Sequence, residues 1–289
     1  MKDEATHTPT KAAETRAPAS KRGREVGGLP STFVTYSAPE AAATQGGGKQ
    51  QRVSQTRARI LATTLSPLDQ AVFDVPLEAW RRVDRSTLAG WRCSVPNPVT
   101  PSDLPPVDPS DNILRHIALY RGPVTKLQLD AIVNAANTQC LGGGGVDGAI
   151  HAAAGPLLLR ECATFNGCAT GQCRLTKGYQ LPARYVLHTV GPVGEKPAEL
   201  RSCYRSILSL AHRNGLRSVG FCCVSTGVYG YPLLPATRIA LGETVKYITQ
   251  HTDAFDLCCF ACFQAEEYKT YTACLREGFA SEACGGSDL

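Results

Sequence analysis

The chain has 289 residues, 43% of them hydrophobic, which is enough for one large domain or two small ones with a real core. Its net charge of +5 at pH 7 is too small to indicate a nucleic-acid-binding protein. No apolar run approaches the roughly 18 residues that span a bilayer, so we expect a soluble protein.

The first 55 residues are rich in Ala, Thr, Pro, Gly and charge, and have little apolar surface to bury. Because such a composition cannot offset the entropy of ordering, residues 1–55 are predicted to form a disordered, low-complexity tail. The basic cluster Lys21–Arg24 has the composition of a localisation signal. A solvated charge cluster is the favoured interpretation of it.

Residues 56–110 are predicted to be an accessory segment that packs on the main domain. Apolar residues recur there at helical spacing, and Pro67 and Pro76 should divide the segment into short helices. The prolines between residues 95 and 109 predict an extended strap. We assign the main domain to residues 111–280 and expect a flexible tail at residues 281–289.

The main domain alternates between strand-like and helix-like patterns. Strand-like runs occupy Ile113–Arg121, Asp130–Ala136, Cys173–Leu181, Tyr185–Val190, Ser218–Val224 and Leu257–Phe263. Helix-like runs lie near Val146–Ala154, Pro156–Asn166, Ala198–Asn214, Leu233–His251 and Glu266–Glu277. The strands are almost continuously apolar, as expected when helices cover both faces of a sheet. The pattern therefore predicts an α/β sandwich around a mostly parallel sheet.

The thirteen cysteines do not have the spacing of a metal site. Cys222 and Cys223 lie in an apolar, strand-like run, and Cys259-x-x-Cys262 lies in another without a second pair at zinc-finger spacing. The odd count and the lack of an apolar leader also disfavour a secreted disulfide scaffold. We expect buried free thiols, no metal and no cofactor. The compartment should be reducing and intracellular, with the cytoplasm or nucleus favoured and the mitochondrion as the alternative.

The run from Asn134 to His151 contains the strongest functional signal. Four adjacent glycines, Gly142–Gly145, stand where a helix should begin, so their outward amides can form an anion cradle. Asp147 and His151 are four residues apart and share one face of that helix. A tight connection between strand and helix is the simpler alternative. A dinucleotide fingerprint is disfavoured, because five residues separate the predicted strand from the first glycine.

A second glycine-bearing loop, Ser225–Tyr231, follows another predicted strand. Ligands of such sheets bind beyond the carboxyl ends of the strands. Since Asn134–Asn137 follows a strand at the same end, we expect the two loops to meet at one cleft and to clamp a diphosphate. Alternatively, Gly227 and Gly230 only allow the backbone to turn, and the side chains of Tyr229 and Tyr231 lie at the edge of the hydrophobic core.

Five motifs, in this order, resemble the macrodomain family, and most closely its MacroD class. They are Asp130–Asn137, Gly142–His151, Ala153–Leu157, His188–Pro192 and Ser225–Pro232, and the resemblance covers roughly Ile113 to Phe279. It implies a three-layer α/β/α sandwich around a mixed, mostly parallel sheet. The implied activity is a hydrolase that binds ADP-ribose, removes mono-ADP-ribose from acidic side chains of proteins and deacetylates O-acetyl-ADP-ribose.

The resemblance also implies roles for individual residues. Asn137, Asp147 and His151 are the candidate catalytic residues: Asn137 would bond a ribose hydroxyl, Asp147 would orient the ribose or a water, and His151 would tune Asp147 or contact the substrate. Asn134 is expected to tie the strand end to its neighbours. The candidate ADP-ribose-binding residues are Pro123, Val124, Ala135, Ala136, Asn137, Gly142, Gly143, Gly144, Gly145, Val146, Asp147, Ser225, Thr226, Gly227, Val228, Tyr229, Gly230, Tyr231 and Phe263.

The chain departs from the family at the adenine end. The family carries Gly-Asp-Ile-Thr after the first strand, and its Asp accepts a hydrogen bond from the adenine amino group. This chain reads Gly122-Pro123-Val124-Thr125, so the carboxylate is missing. Phe263 matches the aromatic residue that stacks on adenine, with core packing as the alternative.

The expected partners are ADP-ribose, O-acetyl-ADP-ribose and mono-ADP-ribosylated proteins, and we expect a monomer that binds no membrane. A non-catalytic ADP-ribose reader is the alternative function. Because no basic stripe is interleaved with aromatic residues, binding of RNA or other nucleic acid is disfavoured.

Overall fold

A single sheet of six strands runs through the described part of this computed structural model, residues 47–88 and 92–278. The strands are β1 (Ile117–Arg121), β2 (Ala131–Ala135), β3 (Cys173–Lys177), β4 (Tyr185–Thr189), β5 (Ser218–Phe221) and β6 (Leu257–Cys262). Their order is β1-β6-β5-β2-β4-β3, and only the edge pair β3–β4 is antiparallel. The prediction of a mixed, mostly parallel sheet is confirmed.

Helices pack on the sheet and on one another. They are α1 (Gly47–Ala62), α2 (Pro67–Asp74), α3 (Leu77–Trp80), α4 (Gly145–Ala154), α5 (Pro156–Ala163), α6 (Pro197–Arg213), α7 (Leu233–Gln250) and α8 (Ala265–Glu277). One group is formed by α6, α7 and α8, which contact each other in chain order, and α4 and α5 form another. Every residue of β4 and β6 is buried. The sequence of β6 is accordingly apolar throughout, and the two polar side chains of β4, His188 and Thr189, are hydrogen-bonded.

The strands are shorter than the apolar runs that predicted them. The first run was expected to begin at Ile113, but residues Leu114–His116 form a turn of 3₁₀ helix instead. The Asp111 carboxylate accepts hydrogen bonds from the N–H groups of Ile113 and Leu114, both at 2.7 Å. Because this local capping competes with the sheet for the backbone donors, β1 begins only at Ile117.

Helix α1 begins at Gly47, so disorder predicted as far as residue 55 is wrong for residues 47–55. The sequence of the helix is polar, which is why its composition resembled a tail. The Arg57 guanidinium donates to the carbonyl oxygens of Cys162, Phe165 and Gln139 on the main domain. The charged side chain of Arg57 thus attaches α1 to the main domain, whereas the prediction of a docked helix from sequence relies on an apolar face. The other predicted tail residues, 1–46 and 281–289, lie outside the described residues.

The rest of the accessory segment is held by a buried aromatic residue and a buried cation. Trp80 is fully buried, and its indole N–H donates to the carbonyl of Arg184 at 2.9 Å. The Lys177 ammonium donates to the carbonyls of Phe73 and Val75 at 2.5 and 2.8 Å. It also lies 5.8 Å from the centre of the Trp80 ring, within cation–π range.

The proline-rich strap contains a 3₁₀ turn at Pro101–Asp103 and a bend at residues 94–97, where Asn97 has φ +49°, so the prediction of an extended strap holds only in part. Val99 pairs with Leu127, and the N–H of Val107 donates to the carbonyl of Ile117 at 2.7 Å. Because β1 is an edge strand, this pairing covers part of an otherwise open sheet edge. None of the helices in the described residues has the length and apolar character needed to cross a bilayer.

Candidate functional site

The two glycine-bearing loops meet at one cleft of about 630 Å³, a volume typical of small-ligand sites. They meet because β2 and β5 are adjacent parallel strands, with Ala131 opposite Val219, so their carboxyl ends open at the same edge. The predicted residues that line the cleft are Pro123, Val124, Ala135, Ala136, Asn137, Gly143, Gly144, Gly145, Val146, Asp147, Ser225, Thr226, Gly227, Val228, Tyr229 and Phe263.

Gly142, His151, Gly230 and Tyr231 were also predicted for the site but do not line the cleft. The Tyr231 side chain is buried beneath its loop, and its N–H donates to the carbonyl of Ser225 at 3.0 Å. Gly230, with φ +67°, closes the turn by donating to the carbonyl of Gly227. These two residues shape the second loop rather than its ligand-facing wall.

Several residues of the cleft wall were not predicted: Thr125, Ala149, Gly191, Cys222, Cys223, Ala261, Gln264 and Glu267. Cys222 and Cys223 had been interpreted as strand core, but β5 ends at Phe221 and they lie past its end. A Cβ at Gly191 would clash with the Ser225 hydroxyl, so this glycine permits close approach of two loops. Gln264 is the N-cap residue of α8 and Glu267 lies in its first turn. Their capping-box spacing is the sequence signal that marks this helix start.

Asn137 shapes the first loop from within. Its side-chain oxygen accepts hydrogen bonds from the N–H groups of Gln139 and Cys140, at 3.0 and 3.1 Å. Its side-chain nitrogen donates to the carbonyl of Gly142 at 2.8 Å. An amide nitrogen carries two donors, so one N–H remains for a ligand. Asn137 can therefore fold the loop and bind a hydroxyl at the same time.

Gly143 lies directly against the polar side chains of the site. A Cβ at this position would stand 3.1 Å from Oδ2 of Asp147 and 3.3 Å from Nδ2 of Asn137. A side chain here would crowd both groups, and glycine leaves the space between them open. Helix α4 begins at Gly145 with no side-chain cap, so its first N–H groups face the cleft as donors for an anion.

Asp147 is a buried carboxylate with one engaged oxygen and one unengaged oxygen. The side chain of Asn134 donates to its Oδ1 at 2.8 Å, while Oδ2 has no hydrogen-bond partner among the described residues. Burial raises the pKa of Asp147, and the Asn134 hydrogen bond and the nearby His151 partly oppose that rise. Asp147 is thus a carboxylate in the cleft wall with a free acceptor and enhanced basicity.

A chain of buried polar groups holds Asp147 from behind. Asn134 Nδ2 also lies 3.0 Å from Nδ1 of His188, and His188 Nε2 lies 2.9 Å from the Thr176 hydroxyl. Burial lowers the pKa of His188 to about 3, so the ring is neutral at physiological pH. Because Nδ2 of Asn134 can only donate, His188 Nδ1 accepts and its Nε2–H donates to Thr176. The network fixes the orientation of Asn134 and, through it, of Asp147.

His151 lies one helical turn after Asp147, with its Nε2 3.5 Å from Oδ1 of Asp147. Burial lowers the pKa of His151, and the Asp147 carboxylate partly opposes that effect. The distance is too long for a good hydrogen bond. His151 therefore sits behind Asp147 as a neighbour that influences its charge, and it is not part of the cleft wall.

His151, Cys162 and His188 bring three possible metal-ligand atoms within 4.8 Å of one another. Both nitrogens of His188 are already engaged, with Asn134 and with Thr176. Burial also raises the pKa of the Cys162 thiol well above its usual range, which disfavours the thiolate that a metal requires. We interpret this cluster as part of the polar network, and we assign no metal to it.

The second loop presents backbone donors and little else. Ser225 adopts φ +67°, and the carbonyl of Tyr229 accepts a hydrogen bond from the N–H of Gly194 at 2.7 Å. The N–H groups of Gly227, Val228 and Tyr229 donate to no backbone oxygen among the described residues. These donors point to an anion as the natural occupant of the space between the loops.

The end of the cleft beside β1 and β6 presents apolar side chains next to polar ones. Phe263 follows β6 and is 73% exposed, an unusual state for so large an apolar side chain. Pro123 and Val124 stand opposite, because β1 and β6 are paired in parallel up to Arg121 and Cys262. This arrangement offers a stacking platform for a planar group.

Comparison with known proteins is consistent with this geometry. The family model described as Macro domain matches residues 133–240. The ADP-ribose glycohydrolase MACROD2 of Mus musculus is 49% identical over 169 residues, which are 56% of this chain and 36% of that protein. The macro domain-containing protein mll7730 of Mesorhizobium japonicum is 52% identical over 172 residues, 57% of this chain and 98% of that protein. The chain spans less than half of the MACROD2 relatives that it matches.

A solved structure extends the comparison. The macrodomain of Trypanosoma brucei, determined in complex with ADP-ribose, is 72% identical to this chain with a TM-score of 0.79. The match covers 84% of this chain and 100% of that one. The similarity therefore reaches well beyond the 108 residues from 133 to 240 that the family model spans.

Proposed function

The chain belongs to the macro domain family, and from that premise we propose that it is a hydrolase of ADP-ribose esters. Its substrates would be mono-ADP-ribose on acidic side chains of proteins and O-acetyl-ADP-ribose. The observation that carries the proposal is the unengaged Oδ2 of Asp147, in the wall of a cleft flanked by two loops of backbone donors.

Binding would begin with the diphosphate. The N–H groups at the start of α4 and those of the second loop, Gly227–Tyr229, would donate to its oxygens. No Lys or Arg lines the cleft within the described residues, so backbone dipoles would supply the electrostatic attraction. Phe263 would stack on the adenine, and Tyr229 would lie beside the diphosphate and the distal ribose. Their presence in the cleft wall supports these assignments.

Chemistry would take place at the distal ribose. The free N–H of Asn137 would bond a ribose hydroxyl, while Asp147 would orient the ribose or the attacking water. With the protein substrate, the acidic side chain would leave as a carboxylate, and the positive charge that builds at the anomeric carbon would be stabilised by the neighbouring Asp147 carboxylate. Burial raises the pKa of Asp147, which makes it a better proton acceptor than an exposed aspartate. By resemblance to the family, the substrate's own phosphate would share in activating the water.

The organisation of the chain follows the same proposal. Residues 111–280 would form the catalytic domain, with residues 56–110 as an accessory segment. The active species would be a monomer. The cysteines of the described residues are free thiols, which supports a reducing, intracellular compartment. The partners would be ADP-ribose, O-acetyl-ADP-ribose and mono-ADP-ribosylated proteins.

The test is hydrolysis of a protein carrying ADP-ribose on acidic residues, by the wild type and by Asp147→Ala. We expect the variant to lose about 10²- to 10⁴-fold in turnover, the usual contribution of a positioned acid–base group. ADP-ribose affinity should change much less, because the loops supply the binding. Glu78→Ala, an exposed acid on α3, is the matched control and should retain full activity. Tight ADP-ribose binding by a wild type that releases no product would instead support a reader.

A further inference from the structure

Two carboxylates line the cleft within the described residues, and only Asp147 has a role in the proposed chemistry. The second is Glu267, in the first turn of α8. Helix α8 follows β6, and β5 separates β6 from β2, so the two acids start from strands about 10 Å apart. Glu267 therefore belongs to the end of the cleft that Pro123 and Phe263 form.

The contacts of Glu267 leave one carboxylate oxygen available. Its Oε2 accepts a hydrogen bond from the N–H of Gln264 at 2.8 Å, as in a capping box. Its Oε1 makes no hydrogen bond to any of the described residues, and the side chain is half-buried. The nearby Lys269 lies 3.9 Å from Glu266 instead. Glu267 is thus anchored by one oxygen while the other remains a free acceptor.

The negative charge of Glu267 acts on the thiol of Cys222, which lines the cleft. Burial raises the pKa of the Cys222 thiol to about 12, and the Glu267 carboxylate adds to that rise. Cys222 and Cys223 both line the cleft, and no Lys or Arg does so within the described residues. A carboxylate without a cation beside an anionic ligand is costly unless the ligand offers it a donor.

We propose that Glu267 is a specificity-determining residue that recognises the exocyclic amino group of adenine. The inference rests on the proposed function, in which Phe263 stacks on the nucleobase. Glu267 Oε1 accepts a hydrogen bond from the 6-amino group and thereby takes the place of the acid that the family carries where this chain has Pro123. The chemistry selects a 6-aminopurine over a 6-oxopurine, because the oxo group is an acceptor that the carboxylate repels.

The experiment is calorimetric titration of the wild type with ADP-ribose and with inosine diphosphate ribose, in which an oxo group replaces the amino group. We expect the wild type to prefer ADP-ribose by about ten- to a hundredfold, the range for a hydrogen bond to a charged group. Glu267→Gln should reduce this preference several-fold, mainly by weakening ADP-ribose binding. The glutamine oxygen can still accept from Gln264, so the helix start is preserved.

Glu266→Gln is the matched control, because this acid lies in the same turn of α8 but does not line the cleft. It should keep the wild-type preference and the wild-type kcat at saturating substrate. Equal affinity of the wild type for the two nucleotides, or an unchanged preference in Glu267→Gln, overturns the inference and leaves the proposed function standing. If the wild type binds no ADP-ribose, the proposed function fails and the inference fails with it.

Discussion

The accessory segment and the cleft use the polar groups of the chain in opposite ways. Where the accessory packs on the domain, side-chain cations such as Arg57, Arg85 and Lys177 donate to main-chain carbonyls. In the cleft, main-chain N–H groups face outward and no Lys or Arg lines the wall within the described residues. One region satisfies its polar groups internally, and the other keeps them for a ligand.

The distribution of unpaired groups supports this contrast. Most buried side-chain atoms without a hydrogen-bond partner in the described residues belong to the site or to the residues behind it: Asn134 Oδ1, Asp147 Oδ2, His151 Nε2, Ser225 Oγ and Tyr231 Oη. None belongs to residues 47–110. Since an unsatisfied buried group costs stability, its concentration around a cleft indicates a place built for binding rather than for folding.

The largest effect on stability is expected at the accessory interface. Trp80→Ala should lower the free energy of unfolding by about 3–5 kcal/mol, because it empties a fully buried site and removes the hydrogen bond to Arg184. Turnover per folded molecule should stay within about twofold. Denaturant unfolding combined with an activity assay measures both, with the 42% exposed Leu68→Ala as control. Loss of turnover without loss of stability would show that the two regions are not separate.

A smaller effect should appear in the cleft with Asn134→Ala. The Asn134 hydrogen bond favours the charged form of Asp147, so removing it should raise the pKa of Asp147 further. If activity requires the ionised carboxylate, the acid limb of the pH–activity profile should move to higher pH. Turnover at neutral pH should fall by about tenfold. The pH dependence of kcat is the measurement. Thr176→Val is the control: Thr176 is two hydrogen bonds away from Asn134 in the network, so the acid limb should shift less. An unshifted profile in Asn134→Ala would exclude a positioning role for Asn134.

The smallest effect expected is a gain of stability. The folded-state pKa of Asp147 lies above its ordinary value, so its ionised form costs stability at pH values above that ordinary range. Asp147→Asn removes the cost and should raise the free energy of unfolding at pH 7 by about 1 kcal/mol, and with it the midpoint of denaturation, while turnover falls. At pH 3, where the carboxyl is protonated in both states, the gain should vanish. Equal midpoints for wild type and variant at both pH values would contradict this trade-off.

The sequence predicted most of the sheet because its signal is local and strong. A continuous apolar run such as that of β6 requires burial on both faces, and the structure confirms it. Strand ends were less predictable. The Asp111 carboxylate accepts from the N–H groups before β1, and β3 ends at Lys177, where the backbone turns and the N–H of Gly178 donates to the carbonyl of Arg184. The start of α1 was missed because Arg57, not an apolar stripe, attaches it.

The candidate site was predictable where glycine patterns mark it and unpredictable where tertiary contacts do. The two loops have recognisable spacing, and the structure brings Asn137, Asp147 and Ser225 to one cleft. The link from Asn134 through His188 to Thr176 joins three strands, and no local pattern reports such a connection. No local pattern marked Glu267 as a site residue, and it is the structure that places it in the same cleft wall as Phe263 and Pro123.

The most direct test of the central contrast is a crystal structure of the protein with ADP-ribose bound. We expect diphosphate oxygens to accept hydrogen bonds from N–H groups of both loops, near Gly145 and near Val228. The distal ribose should lie with its anomeric carbon facing Oδ2 of Asp147. A diphosphate held by one loop alone, or a ribose turned away from Asp147, would contradict the account.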